Sequence, residues 1–256
     1  GQVKVNGRIV TELGLQVDPS KDAIKVGSKL IKPVTEHIYF KFNKPASVLS
    51  TTSDPEKRRT VMDYFDGLNE RVFPVGRLDW DSEGLLLLTN DGEFAQQVTH
   101  PSQEIPKTYL VKVDGELTEQ KIKKLKTGVT IPGGRVSAMA VERVPSKESK
   151  YTWLKIIISE GKNRQIRFMM EKIGCDVIKL QRVAIGMLRL GKLKKGQIKQ
   201  LTREEVEKVF YKFKAEKIIH GTKTKKPAAV NKKKRKSTRS VSKKEYFKKL
   251  NRQSKR

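Results

Sequence analysis

Alternation of apolar and polar residues is the main pattern of the first 215 residues, and it predicts more strands than helices. Tyr109, Val111 and Val113 fall on one face of one such stretch, with Leu110 and Lys112 on the other, as in a half-buried strand. Alternation or a short apolar run predicts strands over residues 37–42, 72–75, 84–89, 107–113, 136–144, 152–159 and 177–183. Because helices do not alternate regularly with these strands, we expect an α+β fold with a mixed, largely antiparallel sheet.

Helical spacing of apolar residues appears in fewer segments. It predicts helices over residues 93–99, 118–126, 165–173 and 202–214, and a short helical start over 60–64. Thr118 and Thr202 are the expected N-caps. Capping boxes are expected at both, from a Thr-x-x-Gln pattern at Thr118 and from Glu205 three residues after Thr202.

Three segments differ in composition, and they predict the domain organisation. Residues 1–34 form a small first unit, with a hairpin at Asn6-Gly7, further strand at 24–27 and 29–31, and a linker near Pro33. Residues 35–215 form the main domain. Residues 216–256 have few large apolar side chains and include five consecutive basic residues at 232–236, so a disordered basic tail is expected.

The charge indicates a polyanionic partner. The net charge is +28, of which +16 lies in residues 217–256 and +12 in the rest, so the main domain is itself basic. Cys175 is the only cysteine and there are three histidines, which excludes a disulfide framework and gives no metal cluster. With no apolar run near the ~20 residues of a membrane span and no signal peptide, a cytoplasmic protein is expected. The start at Gly1 rather than Met suggests a fragment or a processed end.

Three acidic residues between two predicted strands form the first candidate site. Asp79, Asp81 and Glu83 lie between the strands at 72–75 and 84–89, where a loop held by two buried elements can present catalytic groups. Taken alone, this spacing favours a solvated turn. A magnesium site of a nuclease is a further alternative.

Two other segments carry candidate chemistry. In residues 156–167 a strand ends, a polar turn follows and a helix begins, with Arg164 and Arg167 three residues apart on one helical face. Alone, this segment favours an ordinary basic helix face. Tyr109 follows Lys107 and Thr108 on the alternating strand, and alone it favours a core or edge aromatic.

Taken in order, these three segments resemble the pseudouridine synthases of the RsuA/RluB/RluF type. The resemblance covers roughly residues 37–210, and its motifs are Gly76-Arg77-Leu78-Asp79-x-Asp81-Ser82-x-Gly84-Leu85-Leu86, Lys107-Thr108-Tyr109 and Glu160-Gly161-Lys162-Asn163-Arg164-Gln165-Ile166-Arg167. Residues 1–31 resemble the second half of a small RNA-binding module shared with ribosomal proteins, whose helical first half is missing.

The resemblance implies an isomerase that breaks the uridine N-glycosidic bond, rotates the uracil and rejoins it through carbon, with no cofactor or metal. It implies that Asp79 is the catalytic carboxylate. An ionised carboxylate needs a cation beside it, and Arg167 is the expected partner, with Arg164 second. Tyr109 is expected to stack on the target base or to transfer a proton.

The resemblance also implies how RNA is held. Leu78 is expected to line the base pocket, and Arg77 to fill the space that the flipped nucleotide leaves. Lys107, Lys162 and Arg164 are expected to hold phosphates. The expected substrate is a uridine in a structured stem-loop of ribosomal RNA. Residues 81–92 favour the large subunit. The basic tail is expected to add non-specific RNA contacts to a monomeric enzyme.

One alternative keeps the basic surface without the chemistry. In a non-catalytic rRNA-binding or ribosome-assembly factor, the acidic loop would be structural only. The nuclease alternative would need Asp79, Asp81 and Glu83 to converge on magnesium, and the ordered Tyr109 and Arg167 motifs weigh against it.

Overall fold

The computed structural model describes residues 1–18, 21–31, 36–68, 70–146 and 150–211. They divide into two units, one within Gly1–His37 and one that begins at Ile38. The expected basic tail at 216–256 lies outside the described residues. Within them, no helix is long and apolar enough to cross a membrane.

The first unit is a four-stranded antiparallel sheet. Its strands are β1 (Val3–Val5), β2 (Arg8–Ile9), β3 (Ile24–Val26) and β4 (Lys29–Ile31), in the order β2-β1-β3-β4. The predicted hairpin joins β1 and β2, and both turn residues, Asn6 and Gly7, have positive φ, as the tight hairpin turn requires. That this sheet is half of an RNA-binding module stays a prediction.

The second unit is built on a larger sheet. Its strands in chain order are β5 (Tyr39–Lys44), β6 (Phe73–Val75), β7 (Glu83–Thr89), β8 (Lys107–Asp114), β9 (Val129–Ile131), β10 (Gly134–Val136), β11 (Ala140–Val144), β12 (Thr152–Ile158), β13 (Asp176–Ile185), β14 (Leu188–Arg189) and β15 (Ile198–Gln200). β9 and β10 form a separate hairpin. The others follow the order β11-β12-β8-β13-β7-β5-β15, with β14 beside β13 and β6 beside β7. Only β13–β7 is parallel among these described pairs, so the predicted mixed, largely antiparallel sheet is confirmed.

Four helices accompany this sheet in the described range. They are α1 (Gly92–Thr99), α2 (Glu119–Thr127), α3 (Gln165–Glu171) and α4 (Arg203–Val209), with 3₁₀ turns at Val61–Tyr64 and Pro101–Gln103. The predicted N-caps are confirmed, because the Thr118 and Thr202 hydroxyls accept from backbone N–H groups in the first turns of α2 and α4. The capping box at Thr202 is present. The one at Thr118 was wrong, since the third residue after it is Lys121, whose ammonium cannot accept a hydrogen bond.

Two predicted boundaries were wrong for reasons of tertiary structure. α4 ends at Val209 rather than at residue 214. In its last turn the Lys208 carbonyl accepts a hydrogen bond from Met187 N at 2.8 Å, a residue outside the helix. Residues 212–214 lie beyond the described range. The strand predicted over 136–144 is two strands, β10 and β11. Between them, Ala138 N donates to Leu125 O at 2.8 Å, which carries the chain from the hairpin past the end of α2.

The buried face of the sheet follows the predicted alternation. Tyr109, Val111 and Val113 of β8 are buried, whereas Leu110 and Lys112 are only half-buried. Helices α2 and α3 contribute to the same core, which includes Ile122, Leu125, Leu154, Ile156, Met169 and Met170. Each such side chain contributes roughly 1.5–3 kcal/mol when fully buried, so this core fixes the strand ends that carry the polar residues.

A row of residues crosses the centre of the sheet. Gly84 of β7 is opposite Lys44 of β5 on one side and Arg182 of β13 on the other. Arg182 is in turn opposite Tyr109 of β8. Directly opposite residues share a face, so the register brings Lys44, Arg182 and Tyr109 to one face. Gly84 has φ +104, and a Cβ there would lie 2.2 Å from the Arg182 carbonyl oxygen.

Replacing Gly84 by Ala is therefore expected to destabilise the fold by about 3 kcal/mol, since the backbones of β7 and β13 would have to separate. Urea unfolding measures the effect. The matched control is Gly92→Ala at the start of α1, where a Cβ would meet nothing within 4 Å and where Ala favours the helix by up to ~1 kcal/mol. Equal stability of the two variants would contradict the prediction.

Candidate active site

The acidic loop joins β6 to β7 over residues 76–82. It starts at Gly76, whose φ of +72 turns the chain out of β6. Its end is closed by a turn in which Ser82 N donates to Asp79 O at 3.1 Å. Asp79 is half-buried and Trp80 and Asp81 are exposed, so the loop presents consecutive side chains to different surroundings.

The chain that follows β5 supports this loop. The Ser50 hydroxyl accepts from Leu78 N at 3.2 Å and donates to Leu78 O at 2.9 Å. Ser47 N donates to Trp80 O at 2.8 Å. The backbone on each side of Asp79 is therefore fixed by hydrogen bonds to a separate segment, which limits how far its carboxylate can move.

Lys44 lies beneath the loop and is fully buried. Its Nζ donates to Ser82 O at 2.9 Å. Burial lowers the pKa of Lys44 to about 8, although the carboxylates of Asp79, Asp81 and Glu83 act to raise it. This cation therefore remains charged at neutral pH next to three acids.

A cavity of about 310 Å³ opens beside the loop, large enough for a small ligand. Most of the predicted site residues line it, namely Arg77, Leu78, Asp79, Lys107, Tyr109, Lys162 and Arg164. Ser82 and Arg182 also line it. Its wall includes five cationic residues against two acidic ones, so the cavity favours an anionic or carbonyl-rich ligand.

Arg167 does not line this cavity, and it pairs with a different acid from the one expected. Its Nη2 lies 3.1 Å from Asp81 Oδ1 and donates to the Asp81 carbonyl at 3.2 Å. Its Nη1 donates to Val177 O at 3.2 Å. The expected Arg167–Asp79 ion pair is absent from the described residues. Arg167 instead ties the acidic loop to β13 through Asp81.

The remaining predicted RNA contacts differ in their exposure. Arg77 is exposed, and Arg164 is 43% exposed and lies 3.4 Å from Asp81. The Lys162 ammonium donates to Gly133 O at 2.6 Å. Lys107 is half-buried and donates to Ile105 O at 3.2 Å. Burial and then the nearby Arg182 lower the pKa of Lys107 to about 8.

Comparison with known proteins identifies the family. A family model described as RNA pseudouridylate synthase matches residues 38–172. The chain belongs to the RNA pseudouridylate synthase family. It is 41% identical over 210 residues to the ribosomal large subunit pseudouridine synthase B of Bacillus subtilis, covering 82% of this chain and 85% of that relative.

Further comparisons agree. The chain is 37% identical over 213 residues to the protein of the same name from Pseudomonas aeruginosa, covering 81% of this chain and 55% of that one. The crystal structure of a pseudouridylate synthase superposes with a TM-score of 0.62 at 29% identity, covering 81% of this chain and 88% of the other. The predicted resemblance and fold are confirmed, and the chain is an isomerase that converts uridine to pseudouridine in RNA.

The geometry of this RNA pseudouridylate synthase also separates the three acids. Asp81 pairs with Arg164 and Arg167, whereas Glu83 pairs with Lys195 at 2.7 Å. In the described part of the chain, no group of three His, Cys, Asp or Glu side chains is placed to hold a metal ion. The acids therefore do not converge as the nuclease alternative would need.

The sequence interpretation missed three polar residues of this synthase: Lys44, Ser82 and Arg182. Lys44 lies beyond the strand predicted over 37–42, and it is the last residue of β5, in which every residue is buried. Arg182 lies two residues from Leu180 and from Ala184 on the same strand, and all three are buried. A charged residue at a core position of an alternating strand is the signal that would have indicated it.

Proposed function

We propose that this chain forms pseudouridine in ribosomal RNA of the large subunit, with Asp79 as its catalytic carboxylate. The observation that carries the role of Asp79 is its position: it is a half-buried carboxylate that lines, together with Tyr109, a cation-rich cavity of about 310 Å³. The names of the relatives from Bacillus subtilis and Pseudomonas aeruginosa support the large subunit as the source of the RNA.

In the proposed reaction the target uridine leaves its helix and its uracil enters the cavity, since the reacting atoms are inaccessible in a stacked nucleotide. The bond between C1′ and N1 breaks and its electron pair stays on the uracil. The ring turns, C5 bonds to C1′, the C5 proton is lost and N1 gains a proton. Asp79 faces the sugar. Tyr109 packs against the base or takes part in the proton transfer, and Leu78 lines the base pocket.

RNA binding is proposed to combine electrostatic contacts from the cationic residues of the cavity wall with specific recognition of the base inside the cavity. Arg77, Lys162 and Arg164 contact phosphates around the flipped nucleotide, and Arg77 fills the space that it leaves. Lys107 is half-buried, with its pKa lowered to about 8, and is proposed to hold a phosphate from the cavity wall. Arg167 acts by holding Asp81 and the loop, at 3.1 Å from that carboxylate. Affinity should fall as salt rises, as for any contact with the RNA backbone.

The preferred substrate is proposed to be a uridine in a structured stem-loop, modified in the cytoplasm by a monomer. The basic segment at 216–256 would add non-specific contacts, because it is dense in Lys and Arg and has two acids, Glu216 and Glu245.

The test uses unmodified transcripts of bacterial large- and small-subunit ribosomal RNA, incubated with the purified chain and a chelator. Pseudouridine is then mapped by chemical modification and primer extension. We expect modification of the large-subunit transcript, without strand cleavage. Modification of the small-subunit transcript instead would overturn the large-subunit assignment. Binding to both without any product would favour the assembly-factor alternative.

A further inference from the structure

Two buried polar atoms at the cavity have no hydrogen-bond partner in the part of the chain that the structure describes. Arg182 is 4% exposed, and its Nε donates to Leu85 O at 2.7 Å. Its Nη2 has no hydrogen-bond partner among the described residues. The same holds for the hydroxyl of Ser82, which is 1% exposed. Both residues line the cavity.

A buried polar group without a hydrogen-bond partner lowers the stability of the folded protein. An unsatisfied buried donor costs roughly 1–3 kcal/mol, and more when it is charged. The fold nevertheless places Arg182 there in a defined way, because Leu180, Arg182 and Ala184 are the buried positions of this part of β13 and Arg182 is opposite Gly84, which has no side chain. A register bulge of β13 follows directly, between Arg182 and Ala184, as bulges often do beside active sites.

The surroundings of Arg182 favour a negative charge. Its guanidinium lowers the pKa of both Lys44 and Lys107, so the three cations are near one another. Among the described residues, Arg182 makes no ion pair with the acids of the loop, whereas Asp81 pairs with Arg167 and Glu83 with Lys195. A ligand that gains electron density within the cavity would therefore be stabilised by Arg182.

We propose that Arg182 binds a carbonyl oxygen of the flipped uracil and stabilises the negative charge that the ring acquires, with the Ser82 hydroxyl as a second contact. This rests on the proposed function. When the C1′–N1 bond breaks, its electron pair is delocalised from N1 onto the carbonyl oxygens O2 and O4. The positive guanidinium would stabilise this negative charge. The charge is lost when C5 bonds to C1′, the C5 proton leaves and N1 is protonated.

A contact at O4 would also distinguish bases. A guanidinium offers only donors, and uracil presents two carbonyl acceptors. Cytosine presents an amino group in place of O4, so a donor would face a donor. Sites that hydrogen-bond one base reject an analogue that leaves their buried polar groups unpaired. Through O4, Arg182 would thus contribute to both the rate and the choice of base.

The experiment compares single-turnover rates of the full chain, Arg182→Met and Arg182→Lys. The substrates are stem-loops that carry uridine, 2-thiouridine or 4-thiouridine at the mapped target, since sulfur accepts hydrogen bonds poorly. Arg189→Met is the matched control, an exposed arginine seven residues on in β14. Thermal unfolding checks that each variant is folded, and Arg182→Lys, which keeps charge and bulk, carries the test if the Met variant unfolds.

On uridine, Arg182→Met is expected to be slower by about 10- to 100-fold, as for loss of a hydrogen bond to a charged group, with RNA affinity unchanged. At one carbonyl position the thio-to-oxo rate ratio should rise by about 10-fold in the variant, because that contact is already lost. Ratios unchanged at both positions would overturn the inference while leaving the proposed function intact. Absence of product from the wild-type chain on uridine would instead overturn the proposed function.

Discussion

Replacing Asp79 by Asn is expected to abolish pseudouridine formation, with a loss of at least ~10⁴-fold in rate. An amide is neutral and cannot take the part of an ionised carboxylate at the sugar. No hydrogen bond or ion pair from the described residues involves the Asp79 side chain, so the substitution removes no contact of the fold. RNA affinity should stay within about two-fold of wild type, because the phosphate contacts are unchanged. Single-turnover assays with pseudouridine mapping, and filter binding, measure the two quantities.

Asp81→Asn is the matched control in the same loop. Asp81 carries the ion pairs with Arg164 and Arg167 at 3.4 and 3.1 Å. Its loss should lower stability by about 1 kcal/mol, since the pair is partly exposed, and should slow the reaction by no more than roughly 10-fold through loosening of the loop. If Asp79→Asn still made product, or if Asp81→Asn were the more severe variant, Asp79 would not be the catalytic group.

The long elements of the fold could be predicted because their pattern repeats within the element. β8 shows its alternation over eight residues, and each turn of α1 and α2 has its own apolar positions. The shorter strands β9, β14 and β15 were missed, since two or three residues give no period to detect. The strand expected over 136–144 failed for another reason. The break at Ala138 is set by a hydrogen bond to Leu125 O, a tertiary contact with no local signal.

The site was predictable as a set of residues but not as a set of pairs. The order of the motifs predicted that Asp79, Tyr109 and Arg164 belong to one site, and all three line the same cavity. It could not say which acid Arg167 would reach. Asp79 and Asp81 are two residues apart, and the turn closed by the Ser82 N–H sends them in different directions. The choice of Asp81 depends on that turn and on where α3 packs.

Lys44 was missed for a related reason. Its role depends on the strand register, which places it opposite Gly84. It also depends on the path of the acidic loop, which brings Ser82 O to 2.9 Å from the Lys44 ammonium. Both contacts join segments nearly 40 residues apart. Composition and spacing along the chain do not indicate which distant segments will pair. The result of this pairing, a buried cation under an acidic loop, therefore could not be predicted from them.

Replacing Lys44 by Met is expected to slow pseudouridine formation by roughly 10²–10³-fold. Methionine preserves the volume, but the loop loses the donor to Ser82 O at 2.9 Å, the segment after β5 loses the donor to Pro45 O at 3.0 Å, and Asp79 loses the buried positive charge below it. Lys41→Met is the matched control on the same strand. Lys41 pairs with Glu205 of α4 at 3.1 Å rather than with the acidic loop, so its loss should lower stability and leave the rate near wild type. Comparable loss of activity in both variants would contradict the prediction.

The dependence of stability on pH gives Lys44 a second signature. Its pKa is lowered from 10.5 to about 8 in the folded protein, so between these values the unfolded chain binds more protons than the folded one. The free energy of unfolding must then rise with pH across that window. Relative to Lys44→Met, the wild type should gain up to about 3 kcal/mol between pH 8 and 10.5, with little relative change below pH 7. Urea unfolding at a series of pH values measures the difference. Because Lys107 also titrates near 8 and is present in both proteins, its contribution cancels, and parallel curves would mean that the Lys44 ammonium is not held at a lowered pKa by burial.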